Sequence, residues 1–122
     1  MLAVKHNQLV GKWGEDLALD FLMRRKYVLV ERNVKTSYWE LDLVMKQNDC
    51  LVFIEVKTRT STVYGSASEM INFTKNKSLK QGVQEYMRRQ KKLISHFRLD
   101  VIAIDVNKTK QQAKIQHFKD VW

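Results

Sequence analysis

The 122 residues suffice for one hydrophobic core and leave no room for a second, so a single domain spanning residues 1–122 is expected. Hydrophobic residues make up 44% and charged residues 29%, without proline, which excludes disordered and fibrous classes. Lysine and arginine outnumber acidic residues 22 to 13, and the formal charge of +9 favours a polyanionic partner, with nucleic acid and above all DNA as the first candidate.

The opening residues hold no long apolar run or small-residue cleavage site, and no later run nears the roughly 18 apolar residues that span a bilayer. No membrane association and a cytoplasmic location are therefore expected. Cys50 is the sole cysteine, and His6, His96 and His117 lie far apart, so neither a disulfide framework nor a zinc-type cluster is available. Any metal must be held mainly by oxygen, which points to Mg²⁺ or Mn²⁺.

From Asn7, a candidate N-cap, Val10, Trp13, Leu17 and Phe21 recur at helical spacing with Gly14, Ala18 and Leu22 alongside, predicting an amphipathic helix that runs to Lys26. Residues 27–32 read as a strand and 33–37 as a polar loop. Two strands follow at 38–46 and 51–58, joined at Asn48-Asp49. After a polar stretch at 59–66, Thr74 is a candidate cap for a second helix with Leu79, Val83, Tyr86, Met87 and Ile94 on its buried stripe. Strands at 99–106 and 113–118 complete the order α-β-β-β-α-β-β, an α/β sandwich around a mixed sheet with one crossover helix.

The chemistry gathers on the middle strand pair. Side chains alternate along a strand, so Trp39, Leu41, Leu43 and Met45 share one face, while Glu40, Asp42, Val44 and Lys46 share the other. If Asn48 and Asp49 are the loop residues, paired positions sum to 97, which sets Asp42 opposite Glu55, Glu40 opposite Lys57 and Val44 opposite Phe53. Opposed carboxylates repel by roughly 0.2–1 kcal/mol, so a positive group is expected between them. A divalent cation would take one oxygen from Asp42, one from Glu55 and the carbonyl of Val56, with waters completing its shell. Lys57, on the same face, would orient or deprotonate an attacking water. The competing reading is an exposed ion-pair ladder, against which stands the Leu51-Val-Phe-Ile54 run, apolar on both faces.

Glu40-Leu-Asp42 followed by Val52-Phe-Ile-Glu55-Val-Lys57 resembles the split acidic and Glu-x-Lys motifs of the PD-(D/E)xK nuclease superfamily, which has the restriction-endonuclease-like fold. Gly11-x-x-Gly14-Glu15-x-x-Ala18, Asn33, Arg59, Lys75 and Arg98-Leu-Asp100 extend the resemblance over residues 7–106 to the YraN-type bacterial family, related to Holliday junction resolvases. The resemblance implies metal-binding and catalytic positions at Asp42, Glu55 and Lys57, and an additional catalytic acid at Glu15. Glu40, Arg59 and Lys75 match further polar positions. Trp39 and Lys26 depart from the pattern, standing where the family usually has glycine.

The activity implied is metal-dependent hydrolysis of DNA phosphodiesters, with branched or junction DNA among the substrates. Arg59, Lys75, Lys77, Lys80, Arg88, Arg89, Lys91 and Lys92 are candidate backbone contacts, although charge near a helix C-terminus also occurs simply as solvated surface. Trp13 and Trp39 are assigned to core or interface packing ahead of base stacking. A homodimer is implied by analogy with the resolvases. The alternatives are a catalytically inactive nucleic-acid-binding protein of the same fold, and an adaptor that recruits an acidic protein.

Overall fold

The computed structural model describes residues 2–60, 77–107 and 109–122, with side chains from residue 10 onward. It contains helix α1 (Leu2–Arg24), strands β1 (Val28–Lys35), β2 (Glu40–Gln47) and β3 (Cys50–Thr60), helix α2 (Lys77–Arg88), and strands β4 (Phe97–Asn107) and β5 (Gln112–Phe118). The expected order is thus the observed one. The strands form one mixed sheet in the order β1-β2-β3-β4-β5, with β3 and β4 parallel and every other pair antiparallel. Among the described residues no helix is long and apolar enough to cross a membrane.

Alternation along the strands divides the core between the two faces of the sheet. Leu43, Met45, Val52, Ile54, Ile102 and Ile104 bury against Ala18 and Leu22 of α1. Val44, Phe53 and Leu99 bury against Leu79, Val83 and Tyr86 of α2. Seven consecutive residues of β4, Leu99–Asp105, are buried, as a strand covered on both faces requires.

Helix α1 meets the sheet along Gly14, Ala18 and Leu22, the line that sequence periodicity placed beside the larger apolar residues. Gly14 explains the rotation: a Cβ there would overlap Oγ1 of Thr58 and stand 3.1 Å from its Cβ, so only glycine lets the helix approach β3 this closely. Trp13, expected in packing, is consequently turned outward and 44% exposed. The helix ends in a Schellman arrangement. Tyr27 N donates to the Leu22 carbonyl and Lys26 N to that of Met23, while Lys26 sits in the left-handed region at φ 70°. Leu22 and Tyr27 then meet in the same core cluster.

The β2–β3 hairpin has the expected register, from Gln47 opposite Cys50 to Leu43 opposite Ile54. Asn48 turns the chain with φ 53°, a conformation its short polar side chain tolerates. Beyond Leu43 the ladder stops. On the other flank β1 extends through Asn33, where a loop was expected, with Asn33 left-handed at φ 54° between the pairs Arg32–Leu43 and Val34–Leu41. Both irregularities fall beside Asp42. There strict alternation fails too: Trp39 and Leu41 join the α2-side cluster while Leu43 and Met45 stay with α1.

Helix α2 ends at Arg88, short of Ile94, because the carbonyl of His96 accepts from Leu51 N and Phe97 pairs with Leu51, committing the chain to β4. The proposed cap Thr74 lies outside the described residues.

Two substitutions test these local arguments by urea denaturation. Gly14→Ala is expected to lose about 1–2 kcal/mol, the clash with Thr58 outweighing alanine's helix preference of about 1 kcal/mol, and Thr58→Ala to restore part of it. Lys26→Gly is expected to gain roughly 1 kcal/mol by relieving the left-handed cap. A loss in the second variant would refute the capping account.

Candidate active site

The site is assembled where β2 parts from β3. Val56 N donates to Oδ2 of Asp42 at 2.9 Å, so a side chain takes the place of a strand partner. Glu55, on the same strand as Val56, is 4% exposed and also accepts the Asp42 backbone N–H. The indole Nε1 of Trp39 donates to Glu55 Oε2 at 3.2 Å.

The backbone at Trp39 is fixed by the preceding turn. Thr36 Oγ1 donates to the Trp39 carbonyl at 2.6 Å and accepts from the N–H groups of Tyr38 and Trp39 at 3.2 and 2.9 Å. Helix α2 seats this turn through Glu85, which accepts from Ser37 N and Oγ at 2.8 and 2.7 Å. Gly82 lies against it so closely that a Cβ would be 3.0 Å from both Thr36 Oγ1 and the Trp39 Cβ.

Electrostatics mark the two acids as a pair. Burial pushes Asp42 up to about 6, with the charges of Glu15 and Glu40 adding to the shift, against the opposing pull of the Val56 N–H and Lys57. Glu55 is raised well above the carboxylate range by burial and then by Asp42, with Trp39 and Lys57 opposing. Glu15 is also raised, chiefly by burial, although Arg32 of β1 stands 3.5 Å from it and 2.9 Å from Asp16.

Glu15, Val56 and Lys57 line an open cleft of about 280 Å³ with Val10, Gly11 and Thr58. Gly11 and Glu15 are four residues apart on α1 and so share a face. Glu40 is exposed at the start of β2, opposite Lys35, and acts on both Glu15 and Asp42 through its charge. Arg59 is ion-paired with Asp105 of β4 at 2.8 Å. Lys77 is exposed at the first turn of α2, remote in sequence from the acids, and Lys75 lies outside the described residues.

Two larger hollows, about 540 and 700 Å³, flank residues 90–94 where β3 begins, displaced along the strand from Glu55 and Lys57. They carry Arg88, Lys91, Lys92 and the exposed Leu93 but only one acid, Asp49. Size favours these hollows; the smaller cleft instead carries Glu15 and Lys57 on its wall, with Asp42 and Glu55 outside its lining.

The donor set fits a hard, water-rich cation. Among the described residues no group of three His, Cys, Asp or Glu side chains stands ready to cage a metal, so Glu15 does not join Asp42 and Glu55 in one cluster. Mg²⁺ commonly uses one or two carboxylates and retains several waters, and its charge would favour the ionised form of both acids against the burial and repulsion that raise them. Sequence reasoning missed Trp39 as a partner of Glu55 and Arg32 as a partner of Glu15. The sequence signals at Trp39 were its place immediately before Glu40-Leu-Asp42 and its departure from the family's usual glycine.

A buried acid with a raised pKa favours its protonated form, so its contribution to stability is complete below about pH 3.8 and is lost as pH rises through about 6. In metal-free protein, Asp42→Asn keeps an acceptor for Val56 N while removing the charge. Its urea stability relative to wild type is expected to rise from near zero at pH 4 to about 3 kcal/mol at pH 7.5. An equal difference at both pH values would remove the electrostatic account.

Residues 14–104 match the family model described as Uncharacterised protein family UPF0102. A UPF0102 protein of Syntrophomonas wolfei is 40% identical over 111 residues, covering 91% of this chain and 95% of the relative. That of Rhodococcus opacus is 35% identical over 96% of the chain and 98% of the relative, and that of Dictyoglomus thermophilum 35% over 85% and 88%. These matches agree with the YraN-type motifs read from the sequence, and the chain belongs to the UPF0102 family.

Proposed function

We propose that this protein is a Mg²⁺- or Mn²⁺-dependent endonuclease that hydrolyses DNA phosphodiesters, acting in the bacterial cytoplasm on branched or junction DNA. The observation that carries this reading is the buried Asp42–Glu55 pair beside Lys57, whose charge acts on both acids and which lines an open cleft. A structural ladder of surface ion pairs would have no reason to bury two like charges together.

Asp42, Glu55 and the Val56 carbonyl would hold the cation. When bound, it supplies Lewis acidity toward the scissile phosphate and an attacking water. Val56 N and Trp39 Nε1 keep the carboxylates oriented. Lys57, bordering the cleft, would steady the phosphate or the water beside it. Glu15, with its raised affinity for a proton and its place in the same cleft, would accept the proton released by water. Water adds to phosphorus as its proton passes to Glu15, one P–O ester bond breaks, and the departing alkoxide takes a proton from solvent to leave as an alcohol.

The excess of basic residues would supply affinity through the DNA backbone, with Lys77, Arg88, Lys91 and Lys92 as contacts. Arg59 would act mainly through Asp105, bracing β3 against β4 beside Lys57. A homodimer belongs to the same proposal: Val28 and Val30, exposed on the outer strand β1, offer apolar surface for a second copy.

The test is cleavage of single-stranded, duplex and four-way-junction DNA with Mg²⁺ or Mn²⁺. Wild type is expected to cleave, and Asp42→Ala and Lys57→Ala to lose at least about 100-fold in rate while still binding DNA in a salt-sensitive manner. Binding without cleavage by wild type on every substrate would replace this reading with the inactive nucleic-acid-binding one; loss of binding as well would leave the acidic-protein adaptor.

A further inference from the structure

We infer that Trp39 is the positioning residue of the acid pair: its indole N–H fixes Glu55 as the Val56 N–H fixes Asp42, so that the two acids meet a hard dication in one set geometry. This rests on the reading that Asp42 and Glu55 hold a divalent cation. Oε2 of Glu55 is committed to the Trp39 indole N–H and Oδ2 of Asp42 to the Val56 N–H, beside the Asp42 backbone N–H that Glu55 also accepts. The first donor comes from a side chain outside the β2–β3 ladder, and its backbone is secured independently of the site. Thr36 Oγ1 brackets Trp39, Gly82 allows α2 to close upon it, and Glu85 clamps the neighbouring Ser37.

That placement has a chemical consequence. A carboxylate with one oxygen engaged is less able to swing into bidentate coordination. Ca²⁺ draws on six to eight oxygens and often takes carboxylates bidentately, whereas Mg²⁺ accepts a few oxygens and keeps its waters. Trp39 therefore biases the site toward the smaller ion. It acts through Glu55 and does not itself touch substrate.

The experiment is calorimetric titration of the full chain with MnCl₂, MgCl₂ and CaCl₂, comparing wild type, Trp39→Phe and Asp42→Ala, with urea unfolding of each metal-free protein. Trp39→Phe keeps an aromatic ring and removes the N–H. It is expected to weaken Mn²⁺ and Mg²⁺ binding roughly 10–100-fold, as loss of an outer-shell partner does, and to narrow the preference over Ca²⁺. A merely structural tryptophan would shift the urea midpoint and leave the ion preference unchanged. Binding that is lost in Asp42→Ala yet unaltered in Trp39→Phe overturns the inference and spares the reading of the site. Absence of Mn²⁺ and Mg²⁺ binding in wild type overturns both. Should Trp39→Phe fail to fold, the wild-type indole N–H resonance decides: movement on adding Mg²⁺ that is absent in Asp42→Ala supports the role, and an unmoved resonance overturns it.

Discussion

Two carboxylates buried side by side cannot both ionise cheaply, because each has lost its water and feels the charge of the other. Asp42 and Glu55 are held in that condition by elements from three parts of the chain. Strand β3 brings Glu55 and the Val56 N–H, the start of β2 brings Asp42, and the Thr36–Trp39 turn brings the indole. The β2–β3 ladder gives way at this point, with Asn33 left-handed across from Asp42 on the other side. A regular sheet would satisfy every backbone group with another backbone group. Here two N–H groups, those of Val56 and Asp42, are spent on side chains, and the irregularity makes room for the acids.

The sheet and its register were legible because local chemistry and burial agree there. Asn48 accepts the left-handed turn, and Leu51–Ile54 is apolar on both faces because helices cover both. The face of α1 was harder to read. Periodicity ranks Trp13 and Phe21 above Gly14 by hydrophobicity, but contact distance decides which side meets β3, and glycine permits the closest contact. The end of α2 was also hidden, since Ile94 continues the helical pattern and only the pairing of Phe97 with Leu51 stops it.

The acids and Lys57 were legible from their spacing, whereas their supports were not. Glu15 was placed by resemblance, and the fold brings it to the cleft edge through the close packing of Gly14, its neighbour on α1. Trp39 looks apolar in sequence and packs as such, but its one polar atom finds Glu55 only because the turn before β2 folds onto α2. Arg59 shows the reverse: its charge suggested an outside ligand, and the parallel pairing of β3 with β4 delivers it to Asp105. Contacts made between segments distant in the chain cannot be counted from periodicity.

Asp100 carries its burial differently. It has no exposed surface, yet three groups supply hydrogens to it or share one: Arg98 at 3.0 Å, His117 at 2.7 Å and the backbone N–H of Asp120 at 2.9 Å. Burial raises its pKa and these partners more than reverse the effect, holding it below the usual value. Because Asp120 is one of the three, and Val121 N also bonds to Leu99, the final residues act as a latch on β4. Trimming them would strip a hydrogen-bond donor from a sealed anion, and the cost would fall on the stability of the fold.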